Sequence, residues 1–180
     1  MNSRKFFILF IACAVVPLIA AQLSLSMGWF SQGGNNKGQW LQHEIQLLPD
    51  ASHLANDNSV SNKVHWHLVY VQTAVCGQEC EQALFTLQQL YAGMGRKQLK
   101  IKTLVMAAQE PAQLKQFPAL GWQPEQSTAA ELQDHIVIVN QRGLVLLRYP
   151  VDGNPEHMRD LARDIRTDLL RLINYDRSGA

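Results

Sequence analysis

Net charge is almost absent from this sequence: 16 Lys and Arg stand against 15 Asp and Glu in 180 residues, a formal +1. So even a balance leaves no basic face for nucleic acid and no pull toward acidic partners. Internal repeats and long low-complexity tracts are missing too. With about a fifth of the chain set aside below as membrane segment and tether, the remainder makes one domain of ordinary size and leaves no room for a second. Cysteine is scarce, with three residues. Cys13 falls inside an apolar N-terminal stretch, so Cys76 and Cys80 are the only thiols of the remainder.

What is present begins with that N-terminal stretch. Arg4 and Lys5 precede a run from Phe6 to Phe30 that no charge interrupts. The run is long enough to cross roughly 30 Å of hydrocarbon as a tilted helix, with Pro17 as a kink and Trp29-Phe30 as an aromatic anchor at the far interface. A cleaved signal peptide ending at Ala21 is the rival reading. Ile19 fits the small-residue rule poorly and the apolar run continues past the cut, so retention is favoured. By the positive-inside rule residues 1–5 lie in the cytoplasm and everything beyond the span faces the periplasmic side of a bacterial-type inner membrane. Cys13 follows too short an apolar run for a lipid acceptor and reads as a buried membrane-helix thiol. Residues 31–39, rich in Gly, Asn and Ser, read as a flexible tether. A soluble domain is expected over 40–176.

Within that domain, Trp40 to Leu48 is compatible with a short strand, and Pro49 to Lys63 reads as turns or a mobile hairpin. Val64 to Val71 is a buried strand by its apolar, β-branched content. Ala83, Leu84, Leu87, Leu90 and Tyr91 recur at helical spacing between Gln78 and Gly93, so the cysteines stand at a helix N-terminus. A second strand follows over Leu99 to Met106, then a short helix from Pro111 to Phe117. Strand, helix, strand implies a parallel crossover. His135 to Asn140 and Leu144 to Tyr149 flank Gln141-Arg-Gly143 as an antiparallel hairpin. Asn154 and Pro155 start a final helix whose stripe of Met158, Leu161, Ala162, Ile165, Leu169 and Leu172 is core packing. This is the element order of an α/β, thioredoxin-like domain, a mixed sheet flanked by helices.

Cysteines four apart across a helix start point their sulfurs to one face, close enough for a disulfide or a shared metal. The helix N-terminus favours a thiolate at Cys76, while Glu79 and Glu81 oppose that shift. Soft thiolates select Cu(I) or zinc, and a neutral imidazole can complete the set; His135 is the candidate. Against this stand plainer readings: a static disulfide closing a tiny loop, a capping or surface role for His135, and strand positions for His65 and His67. Asp134 is a candidate partner for His135, although adjacent strand residues point to opposite faces. Trp40, Trp66 and Trp122 read as core or interface aromatics.

The strand Trp66-His-Leu-Val-Tyr-Val71 leading to Cys76-Gly-Gln-Glu-Cys80, with Asp134-His135 opening the hairpin and Arg142-Gly143 turning it, resembles the Sco/SenC family of cytochrome c oxidase assembly proteins. The similarity extends to a membrane anchor and an Asn36-x-Gly38 tether. Glu81 stands where that family usually has proline, and the stretches 140–150 and Met158-x-x-Leu-Ala-Arg-Asp look closer to a divergent, membrane-anchored subgroup. The resemblance implies copper held by Cys76, Cys80 and His135, with a cytochrome c oxidase subunit or another copper or thiol assembly factor as partner. It implies delivery of copper to an oxidase subunit, or reduction of that subunit's cysteines by Cys76 with Cys80 resolving the mixed disulfide. The alternatives are a general membrane-tethered thiol–disulfide oxidoreductase and a non-catalytic module that docks on an oxidase subunit.

Overall fold

A computed structural model describes residues 3–27, 36–49, 66–73, 75–124 and 130–176. The chain divides into two compact units, Met1–Asn36 and Lys37–Ala180. In the first, residues Ser3–Ser26 form one helix, α1, with Pro17 inside it. Its apolar character runs all round the axis, and Phe7, Phe10, Val16 and Leu18 are each more than three-fifths exposed. Among the described residues no helix is long and apolar enough to cross a membrane; residues 28–30 of the expected span, and several of its side chains, lie outside them.

The second unit is built on a sheet of β1 (Gln39–Trp40), β2 (Trp66–Val71), β3 (Ile101–Ala107), β4 (Leu120–Pro124), β5 (His135–Asn140) and β6 (Val145–Pro150), with helices α2 (Gln78–Gly93) and α3 (Pro155–Tyr175). The strand order is β1-β6-β5-β2-β3-β4. Central β2 runs parallel to β3 and antiparallel to β5, so the expected crossover and hairpin both form. Both faces of the sheet are covered, which is why its central strands read as unbroken apolar runs. Trp66, Leu68, Tyr70, Val105, Ile136 and Ile138 pack under α2 and α3 with Leu84, Leu87, Ile165 and Leu169. The alternate positions Val69, Val71, Leu104, Met106, Val137 and Val139 build a second cluster on the other face with Leu48 and Leu132.

Several boundaries differ from those expected. Strand β3 begins at Ile101, because Gly95, with φ +53, turns the chain out of α2 and residues Gly95–Lys100 form a 3-10 segment. The segment expected as a helix from Pro111 is likewise a 3-10 turn, Ala112–Gln116. Strand β4 was not anticipated: it has only Leu120 and Trp122 as apolar strand formers among Gly121, Gln123 and Pro124, and such a strand is tolerated at a sheet edge. Of the strand expected over Trp40 to Leu48 there is the two-residue β1 and a single bridge from Gln46 to Leu144. From residue 50 the expected hairpin lies outside the described residues, as do tether residues 31–35 and His65.

Two features fix the domain's entry. At Gly143, φ is +81 and an added Cβ would run into the Leu48 carbonyl, so the turn that seats Leu47 and Leu48 requires glycine. On α3 the apolar stripe is broken by Asp168, which is fully buried. Its Oδ2 accepts from the backbone N–H groups of Lys37 and Gly38 at 2.7 and 2.9 Å and from the Tyr149 hydroxyl at 2.8 Å. Burial, and then this hydrogen bond, push the Tyr149 phenol above its ordinary range. Trp66 is buried as expected, whereas Trp40 is half exposed.

Candidate functional site: the cysteine pair at the start of α2

Strand β2 ends at Val71, but its alternation continues one step: the Gln72 N–H donates to the Met106 carbonyl at 2.8 Å before the chain leaves the sheet. The following loop enters α2 through Gly77, an extended N-cap with no side-chain cap hydrogen bond. Cys76 stands just before the helix and Cys80 in its first turn. They are joined as a disulfide with a Cα–Cα separation of 5.1 Å. The first-turn N–H groups point toward this end of the helix, which favours negative charge there, while Glu79 and Glu81 in the same turn work against it.

The two sulfurs are not equivalent. Cys80 is 4% exposed and packed into the cluster beneath the helices, whereas Cys76 is half-buried at its margin. Val75, beside it, is 96% exposed, so an incoming thiol or thiolate meets Cys76 first. A groove of about 550 Å³ lies on one side, lined by Thr73, Val75, Cys76 and residues 107–113. Another of about 340 Å³ lies on the other, lined by Tyr70, Gln72, Glu79, Cys80, Asp134 and Gly153. Gln72 reaches both grooves from below and is itself 7% exposed. Its Oε1 lies 3.4 Å from the Cys80 sulfur.

Asp134 borders the smaller groove in a left-handed conformation, φ +53, the only non-glycine residue with positive φ among those described. The surroundings over-determine that strained geometry. Its N–H donates to the Val71 carbonyl at 2.8 Å, its carbonyl accepts from the Val151 N–H at 3.1 Å, and its carboxylate accepts from the Thr73 hydroxyl at 2.7 Å. Tyr70 faces the same groove; burial first, then the Asp134 and Glu79 carboxylates, push its phenol above the ordinary range, so it is a neutral hydroxyl there. At the rim, hydrogen bonds from His157 and from the Asn154 N–H hold the Asp152 carboxyl below its usual range. Gly153, next to it, packs against Gln78 and Glu79 of α2.

His135 opens β5 at the same end of the sheet as the cysteines, paired with Val71. Alternation sets it in phase with Val137 and Val139, on the face opposite Ile136, Ile138 and Cys80. Its Nδ1 lies 2.6 Å from the Gln133 carbonyl oxygen. Thus the structure joins Cys76 to Cys80 and leaves His135 apart from them; its neighbour Asp134 lines the groove instead. Among the described residues no three of His, Cys, Asp and Glu are grouped to hold a metal ion, so this arrangement does not present a ready three-donor set. His67 is partly buried in β2, and burial together with Lys102 lowers its pKa to about 4. Gln72 and Thr73 escaped the sequence reading. The signal was available for Gln72, which stands two residues beyond Tyr70 in the alternation of β2.

The family model described as "transmembrane-like, thioredoxin-like, C-terminal domain" matches residues 66–173, and the expected thioredoxin-like fold is borne out. Among solved structures, apo Sco1 from Thermus thermophilus is 14% identical, with 78% of this chain and 99% of that one covered and a TM-score of 0.47. Yeast Sco1 with copper bound is 10% identical over 64% of this chain and 80% of that one, TM-score 0.41. A thiol:disulfide interchange protein from Bacteroides sp. is 13% identical over 79% and 93%, TM-score 0.41. No curated protein sequence matches this chain.

Proposed function

Because the chain belongs to the transmembrane-like, thioredoxin-like C-terminal domain family, we propose that it is a membrane-anchored thiol–disulfide protein whose Cys76–Cys80 pair serves assembly of the copper site of cytochrome c oxidase. One observation carries this reading: a disulfide at a helix N-terminus with one sulfur buried and the other at the surface between two grooves. That asymmetry suits a nucleophile and a resolving thiol better than a staple, since the loop it closes is too short to stabilise the fold much. In the reduced state the Cys76 thiolate attacks a disulfide of an oxidase subunit, freeing one subunit cysteine as a thiol and leaving the other bound to Cys76; Cys80 then attacks the Cys76 sulfur, re-forming the Cys76–Cys80 bond and releasing the second subunit cysteine as a thiol. Transport across a membrane segment at residues 6–30 would leave this domain, over 40–176, on the periplasmic side. The exposed apolar side chains around α1 support an apolar surrounding for that helix.

Copper carriage is the second reading. It is favoured by two soft sulfurs held together on one face and by the position of His135 at the same end of the sheet. It requires reduction of the pair first, and the Nδ1 contact with the Gln133 carbonyl leaves Nε2 of His135 as the nitrogen that could take the metal. A test separates the two. The full chain in mild detergent, reduced, is assayed for copper stoichiometry as wild type, Cys76→Ser and His135→Ala, and Cys80→Ser is used to trap partners through Cys76. Mixed disulfides trapped by Cys80→Ser, without tight copper in the wild type, fit the reductant reading. One copper lost in both Cys76→Ser and His135→Ala fits the carrier. Neither result would leave only a structural bridge.

A further inference from the structure

We propose that Gln72 is the positioning residue of the inner sulfur, its buried side-chain carbonyl favouring the reduced over the oxidised state of the cysteine pair. The inference rests on the reading of Cys76 and Cys80 as a redox pair and adds what sets their poise. Gln72 is placed for this by the fold rather than by the loop. Its main chain is still bound to β3 through the Met106 carbonyl, and its side chain shares the α2 face of the sheet with Tyr70. The side chain is thereby held beneath the first turn of α2, where Cys80 is buried.

The chemistry differs between the two states. Reduction by a thiol breaks the Cys76–Cys80 bond, takes two electrons from two thiol equivalents that become a disulfide, and leaves a proton on each sulfur. The buried Cys80 then carries an S–H with little access to water, and Gln72 Oε1 at 3.4 Å from the sulfur is within sulfur hydrogen-bond distance to accept it. In the disulfide the same sulfur has no hydrogen, and the carbonyl gains nothing from it. A hydrogen bond available to one state only shifts the equilibrium toward that state. Gln72 therefore makes the pair a stronger oxidant than the same loop over an apolar side chain, and keeps the inner sulfur as the thiol while Cys76 reacts.

The full chain in mild detergent is equilibrated with glutathione buffers, and the reduced fraction is read by thiol alkylation and gel shift for wild type, Gln72→Met and Gln72→Glu. Gln72→Met keeps the length and removes the carbonyl; the expected result is a fall of roughly three- to tenfold in the equilibrium constant for reduction, where tenfold corresponds to about 30 mV. Gln72→Glu retains a carbonyl acceptor and is expected to restore most of the reduced fraction at a pH where the buried carboxyl is neutral. An unchanged constant in Gln72→Met, with wild type and variant both equilibrating, overturns this inference and leaves the redox reading intact. A wild-type pair that neither glutathione nor dithiothreitol reduces in the folded chain overturns the redox reading itself.

Discussion

Replacing Asp168 by alanine is expected to destabilise the domain by about 3–5 kcal/mol, because it strips one acceptor from three donors at once. Asp168 is fully buried in α3, and its Oδ2 receives the Lys37 and Gly38 N–H groups and the Tyr149 hydroxyl at 2.7, 2.9 and 2.8 Å. None of the three donors finds an equivalent partner in an apolar cavity, although water entering from the half-buried backbone side recovers part of the loss. Against an ordinary domain stability of about 5–15 kcal/mol the change is large. Urea unfolding of a fragment from Asn36 onward measures it; with slopes of about 1–3 kcal/mol/M the midpoint falls by roughly 1–5 M. Tyr149→Phe removes one donor and is expected to cost about 1–1.5 kcal/mol. In the double variant the two losses are expected to be strongly non-additive, because one pair is shared. A loss below about 1 kcal/mol for Asp168→Ala would refute the clamp.

Three further outcomes follow from the same geometry. His67 is held neutral, with a folded-state pKa of about 4 against an ordinary 6.5. The unfolded chain therefore binds the extra proton first, so stability is full above pH 6.5 and falls by up to about 3 kcal/mol as pH drops toward 4; pH-dependent urea midpoints that are no flatter in His67→Leu would contradict this. Gly143→Ala should cost more than 2 kcal/mol or so, since both the left-handed backbone and the overlap with the Leu48 carbonyl oppose a Cβ; thermal unfolding reads it. Breaking the disulfide in Cys76→Ser should lower stability by no more than about 2 kcal/mol, the loop being so short, and a larger loss by calorimetry would favour a stapling role.

Much of this architecture was legible because its elements are strongly periodic. The apolar spacing in α2 and α3 and the unbroken runs of β2 and β5 each fix an element type, and their order fixes the crossover and the hairpin. The weak places were those where tertiary pairing overrides local pattern. Strand β4 holds a Gly and a Pro in five residues and exists because the edge of β3 accepts it. The site was read in part. The cysteine spacing and the helix start were visible and left a disulfide and a shared metal both open; the structure holds the disulfide. The relation of His135 to the sulfurs turns on strand phase: a one-residue step along β5 exchanges His135 for Asp134 at the groove. Asp168 was hidden for the opposite reason, as a charged residue at a position that the helical stripe places inside.

The central claim is that the pair is asymmetric, with Cys76 the attacking sulfur and Cys80 the sheltered one. Timed alkylation of the reduced full chain with iodoacetamide, followed by peptide mass mapping, tests it most directly. Modification of Cys76 at least about tenfold faster than Cys80 is the predicted result, given the exposure of Cys76 and the burial of Cys80. Equal rates, or Cys80 modified first, would contradict the account.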